Sequence, residues 1–178
     1  PGPRVISNQV SSQLGSLIND RRLMGYLWLW GQFVDHDIDL TPGGGEYTHI
    51  SVPADDVIFD PLGTGTVIIP FSRSQFDAAT GDSTSNPREQ INAITSYIDA
   101  SNVYGSDPVR ASTIRTMSGG RLLTGPDDLL PKNTFGLPNA NEGPFEASEL
   151  FLAGDVRANE HVALTAMHTV FVREHNRL

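Results

Sequence analysis

Between Leu17 and about Leu40 the apolar side chains Leu23, Tyr26, Leu27, Trp30 and Val34 return at intervals of three and four, the spacing of one helix face. Thr41-Pro42 and the three glycines at 43 to 45 cannot prolong that helix, so it is expected to end near Leu40. On it Trp28, Gln32 and His36 fall four apart and share a face, with Asp35 and Asp39 at its edge and Asp37 pointing elsewhere. Residues 46 to 87 are rich in Gly, Pro, Asp, Ser and Thr and hold only short apolar pieces such as Val67-Ile68-Ile69, which predicts loop with a little strand. Ser106-Asp107-Pro108 reads as an N-cap with proline at the first helical position, opening a short helix to Met117. Residues 118 to 150 are punctuated by glycine and proline and are expected to be irregular. From Asn159 helical spacing resumes, with Ala163, Met167, Val170, Phe171 and Leu178 on one stripe and Leu164, His168, Val172 and His175 on the next. Such a helix is apolar nearly all round and is expected to be central and buried.

The pattern is mainly α, with long irregular connections and little β. Its 178 residues fit one domain or a large part of one, and 38% apolar residues can build a core. The chain opens on Pro1 and stops at Leu178 inside a helical pattern without a terminator, as expected of a piece of a longer polypeptide. A net charge of −9 argues against nucleic acid or anionic lipid as a partner. The longest apolar runs, Leu27 to Trp30 and Val67 to Phe71, fall far short of a membrane span. With no cysteine, a disulfide framework and cysteine-based metal or thiol chemistry are excluded.

Candidate chemistry begins with His36, set between Asp35 and Asp37 in an otherwise apolar segment. Ionised carboxylates buried there without partners would be costly, so a metal ion, a covalent bond or a charged partner is implied. A buried histidine bonded to a neighbour is the plain reading; with Gln32 one turn earlier, a proton shuttle is as well supported. Thr95, Asp99 and Ser101, with the Tyr97 carbonyl, offer the oxygen ligands that calcium prefers. A simple Asx or Ser/Thr turn competes, and Asp37 could supply a further acid. Arg157 precedes Glu160 by three residues, which gives a weak surface ion pair unless both line a pocket, where the guanidinium could stabilise developing negative charge. His161, His168 and His175 lie two helical turns apart, too far to share one metal, and are expected to be core and capping residues. No H-E-x-x-H, Gly-rich phosphate loop or Gly-x-Ser-x-Gly is present, so metalloprotease, nucleotide-binding and serine-hydrolase readings lack their central motif.

Three long segments, Trp-Gly-Gln-Phe-Val-Asp-His-Asp-Ile-Asp at 30 to 39, Gln-Ile-Asn-Ala-Ile-Thr-Ser-Tyr-Ile-Asp-Ala-Ser-Asn-Val-Tyr-Gly-Ser at 90 to 106, and Phe-Leu-Ala-Gly-Asp-Val-Arg-Ala-Asn-Glu at 151 to 160 continued by Leu-Thr-Ala-Met-His-Thr-Val-Phe-Val-Arg-Glu-His-Asn-Arg-Leu at 164 to 178, together closely resemble the animal-type haem peroxidases. The resemblance implies that family's helical fold and a peroxidase that reduces hydrogen peroxide and oxidises a halide, thiocyanate or small organic donor. It makes His36 the distal histidine, Gln32 the amide beside it and Arg157 the distal arginine. Asp35 and Glu160 match the carboxylates esterified to haem b, and Asp37, Thr95, Tyr97 through its carbonyl, Asp99 and Ser101 match the calcium site. Two free carboxylates beside His36 would hold it protonated; an ester on one and a cation on the other would keep it a base.

His161 stands where one branch of the family carries a methionine linked to haem, so that link is not expected. Together with Leu-Pro-Asn-Ala-Asn at 137 to 141, the lack of cysteine resembles secreted bacterial members. None of the five histidines matches the family's proximal haem ligand, so residues 1 to 178 are expected to form the distal side of one peroxidase domain, with a continuation or second chain completing it. The alternatives are a calcium-binding or adhesion module without haem chemistry, and a haem fatty-acid dioxygenase.

Overall fold

The computed structural model describes residues 1–141 and 143–178; Glu142, in the stretch expected to be irregular, lies outside the described residues. The chain divides into two compact units. The first joins Pro1–Arg22 to Thr41–Ile91. It contains helix α1 (Pro3–Ser11), which apolar spacing does not reveal because none of its residues is buried. Strands β1 (Gly43–Tyr47) and β4 (Ser72–Ser74) pair antiparallel, as do β2 (Ile50–Ser51) and β3 (Ile68–Ile69). This is the little strand that residues 46 to 87 predict. Asp56 ties the unit together by accepting from Arg4, Asn8 and the backbone N–H groups of Ile58 and Phe59.

The second unit, Leu23–Leu40 with Asn92–Leu178, carries the long helices and every candidate site residue. Helix α2 (Tyr26–Ile38) begins well after Leu17. Upstream, Asn19 accepts from the backbone of Arg21 and Arg22, and Arg22 adopts a left-handed φ of 51°, which together form a turn instead of a helix. The buried face of α2 is Leu29, Phe33, His36 and Asp37, while Leu23, Tyr26, Leu27 and Trp30 remain exposed. Helical spacing was therefore real, but a different stripe faces the core.

Helix α5 (Val162–Arg177) packs against α2, burying Leu164, Met167, His168, Thr169 and Val172. Val162 and Val170 are exposed, so the helix is buried along one face and not all round. Phe33 stacks on Phe171 at 4.7 Å and meets the edge of His168 at 5.0 Å, which joins the two helices through aromatic contact. The short helix α3 (Ser101–Tyr104) completes this layer. Helix α4 (Pro108–Thr113) opens as expected, the Asp107 carboxylate accepting from Val109 and Arg110 N–H at 3.0 and 2.9 Å. It stops short of Met117 because Arg115 pairs with Leu122 and Thr116 N–H turns to Arg121. Single 3₁₀ turns at Pro126–Asp128 and Ala147–Glu149 interrupt an otherwise irregular run.

One glycine matters for the site. A Cβ on Gly154 would lie 2.4 Å from the Val103 carbonyl carbon, so only glycine lets the 153 to 157 loop press against α3. No helix among the described residues is long and apolar enough to cross a membrane.

Candidate active site

His36 projects from the last turns of α2 into the interior, 4% exposed. Its Nε2 lies 3.8 Å from Glu160 Oε2, and its Nδ1 has no hydrogen-bond partner. Burial pushes its pKa below the ordinary histidine value, and the Arg157 charge pushes it the same way; Asp155, Glu160 and Asp35 oppose without prevailing. The expectation that two adjacent carboxylates hold His36 protonated is therefore corrected. Asp35 is exposed, and Asp37 spends its oxygens elsewhere.

Arg157 is held from two sides. Asp155 accepts from Arg157 Nε and Nη2, both at 2.9 Å, and from the Arg157 backbone N–H at 2.7 Å, which closes an Asx turn. The guanidinium also donates to the carbonyls of Asp39 at 2.7 Å and His36 at 3.2 Å, gripping the C-terminal end of α2. Burial raises the pKa of the Asp155 carboxyl, but the bonds and charge of Arg157 outweigh it and leave the group below the usual carboxylate range. The Arg157 to Glu160 pair expected from their spacing does not form. Instead Glu160 Oε2 accepts from Gln32 Nε2 at 2.7 Å, and Gln32 Oε1 meets His161 Nε2 at 2.8 Å. Gln32, His36, Arg157 and Glu160 thus gather around the inner end of α2.

On the adjoining side Asp37 accepts from Ala100 N–H at 2.8 Å, the Ser101 hydroxyl at 3.1 Å and Asn102 N–H at 3.2 Å. The Thr95 hydroxyl reaches Asp99 at 3.2 Å and Ser101 Oγ at 3.3 Å, and Asp99 also accepts from Ser101 N–H at 3.0 Å. Four of the five expected calcium ligands are therefore linked by hydrogen bonds; the Tyr97 side chain is exposed. The donor set is all oxygen and includes two carboxylates, which suits a hard divalent cation in charge and softness. Among the described residues no three acidic or histidine side chains cluster to hold a metal, so hydroxyl and carbonyl oxygens would have to complete such a site.

Asp155, His161 and Asn102 went unrecognised as site residues in the sequence. An acid two residues before an arginine in a Gly-containing loop is the signal for the first. His161 does cap α5, accepting from Leu164 N–H at 3.2 Å, and His168 is fully buried, as expected of capping and core histidines. His175 meets the Tyr104 hydroxyl at 3.1 Å. A cleft of about 690 Å³ lined by Arg121, Asp128, Arg173 and Arg177 includes none of the site residues.

Comparison with known proteins gives a match of residues 1–178 to the family model for animal haem peroxidase. Lactoperoxidase of Mesocricetus auratus is 36% identical over 205 residues, covering all of this chain and 29% of that protein. Dual oxidase 2 of Rattus norvegicus is 34% identical over 185 residues, covering 99% of this chain and 12% of that protein. Among solved structures, peroxidase A from Dictyostelium discoideum superposes with a TM-score of 0.90 at 31% identity, over the whole chain and 37% of its own length. A fatty acid alpha-dioxygenase of Arabidopsis thaliana, 21% identical, shares the fold with a TM-score of 0.74 over 99% of this chain and 25% of its own.

Proposed function

The chain belongs to the animal haem peroxidase family, and from that premise we propose that it forms the distal side of a haem pocket in which hydrogen peroxide is reduced and a halide, thiocyanate or small organic donor is oxidised. The observation that carries the reading is the convergence of His36, Gln32, Arg157 and Glu160 at one end of α2, through contacts of 3.8, 2.7 and 3.2 Å. Calcium alone needs none of these residues. The Nε2 of His36 faces Glu160 Oε2 at 3.8 Å, beyond hydrogen-bond distance and near a fixed guanidinium, which fits a site where a bound group is met at that nitrogen. Asp35 and Glu160 are exposed carboxylates beside it and are the residues that would hold haem b, by ester links.

Bound haem would supply the iron and the oxidising power. The chain supplies proton handling and electrostatics. Neutral His36, kept so by burial and Arg157, takes a proton from peroxide at Nε2 and returns it to the departing oxygen. Arg157 commits four of its five N–H bonds to Asp155, Asp39 and His36, so its charge stays in place as negative charge develops nearby. Gln32 offers N–H on the same side as Glu160. Asp37, Thr95, Asp99 and Ser101, with the Tyr97 carbonyl, would hold calcium.

The chain spans 12 to 29% of the length of the curated relatives named above. The activity is proposed for a protein in which further polypeptide, of the same or a second chain, supplies the proximal histidine. Secretion, as the resemblance to secreted bacterial members implies, is part of the same proposal. An absorption spectrum of the intact protein, followed by acid-acetone extraction, tests it. A Soret band whose haem resists extraction is expected. A Soret band with extractable haem overturns the ester links, and no Soret band favours the calcium-binding module.

A further inference from the structure

His161 sits at the mouth of α5, and both of its ring nitrogens are engaged. The backbone N–H of Leu164, shared between the His161 carbonyl at 3.1 Å and the His161 ring, can only donate, so Nδ1 of His161, 3.2 Å away, accepts and carries no proton. In the neutral ring the proton is then on Nε2, which donates to Gln32 Oε1 at 2.8 Å. With its carbonyl taken, the Gln32 amide turns its NH2 to Glu160 Oε2 at 2.7 Å. Reversing the amide would set NH2 against the Nε2–H and a carbonyl against a carboxylate, losing both bonds together. The ring plane is held as well, since Trp28 stacks on His161 with centroids 5.1 Å apart and planes 26° from parallel.

We propose that His161 is a positioning residue that locks the Gln32 amide with its N–H side toward Glu160 and the His36 side of the site. The relay runs from the α5 N-terminus through one imidazole to one amide, and it makes the orientation of Gln32 a property of the protein before any ligand arrives. The role given to Gln32 in peroxide chemistry rests on the peroxidase reading; the lock itself does not.

The test is heteronuclear NMR on the intact protein, without and with haem. Long-range 1H–15N correlations should show His161 protonated on Nε2 and bare at Nδ1, and the Gln32 NH2 pair should be distinct and slow to exchange. A ring protonated on Nδ1, or an averaged Gln32 amide, overturns the proposal. In the haem-loaded protein His161→Leu should slow the reaction with peroxide about three- to tenfold at unchanged haem content, the scale of a lost orienting contact. His161→Gln, whose side-chain N–H can reach Gln32 Oε1, should restore most of the rate; equal loss in both variants counts against the lock. A protein that binds no haem sinks the peroxidase reading and leaves the tautomer and amide spectra to decide this one.

Discussion

Asp155 holds Arg157 with three hydrogen bonds, two from the guanidinium and one from the backbone N–H. Asp155→Asn keeps the shape but removes the charge that fixes Arg157, so the reaction of the haem-loaded protein with peroxide should slow by about 10- to 100-fold, with the His36 pKa drifting further down for want of the same charge. Stopped-flow rates at equal haem content check this, and an unchanged rate would show that Arg157 needs no anchor. His168 gives a second expectation at this scale. It is fully buried with neither ring nitrogen bonded, and burial pushes its pKa down to about 4. Between the ordinary histidine value and 4 the unfolded chain takes up a proton that the folded chain refuses. Stability therefore falls as pH drops through that window, by about 3 kcal/mol at most, and the loss is complete below it. His168→Phe should flatten that part of the profile in urea unfolding at pH 7, 5.5 and 4; an identical pH slope would place the acid sensitivity elsewhere.

At the scale of elements, α2 and α5 were visible in the sequence because their apolar positions repeat at helical spacing, and α4 because Asp107-Pro108 is a strong start signal. The stripe that faces the core was not. Trp30 and Leu27 are apolar and exposed, whereas His36 and Asp37 are polar and buried, so hydrophobicity alone picks the wrong side of α2. The same inversion explains the site: His36, Gln32 and Arg157 are recognisable by motif, but their connections through Asp155 and His161 depend on loop geometry that no periodicity encodes. The contact of α3 with the 153 to 157 loop is the joint that makes this geometry possible. Gly154→Ala should destabilise the protein by about 1 to 3 kcal/mol, the scale of overpacking, and lower its melting temperature; a neutral result would mean that the loop can back away from Val103 at no cost. Asp37→Ala leaves two backbone N–H groups and the Ser101 hydroxyl without their acceptor, for a loss of about 1 to 3 kcal/mol. Bound calcium, read by elemental analysis, should fall with it, and full calcium content in the variant would remove Asp37 from that site.

For the whole molecule, the family assignment covers all 178 residues, while each relative extends far beyond the matched segment. In the proposed function its long helices present a histidine, an amide and a tethered arginine to a haem pocket that other polypeptide completes. In the proposed function His36 moves the proton when peroxide is cleaved. The most direct measurement of that step is the second-order rate of peroxide reduction by the haem-loaded intact protein, compared with His36→Leu at equal haem content. The variant is expected to be slower by about 10²- to 10⁴-fold. Equal rates would contradict it.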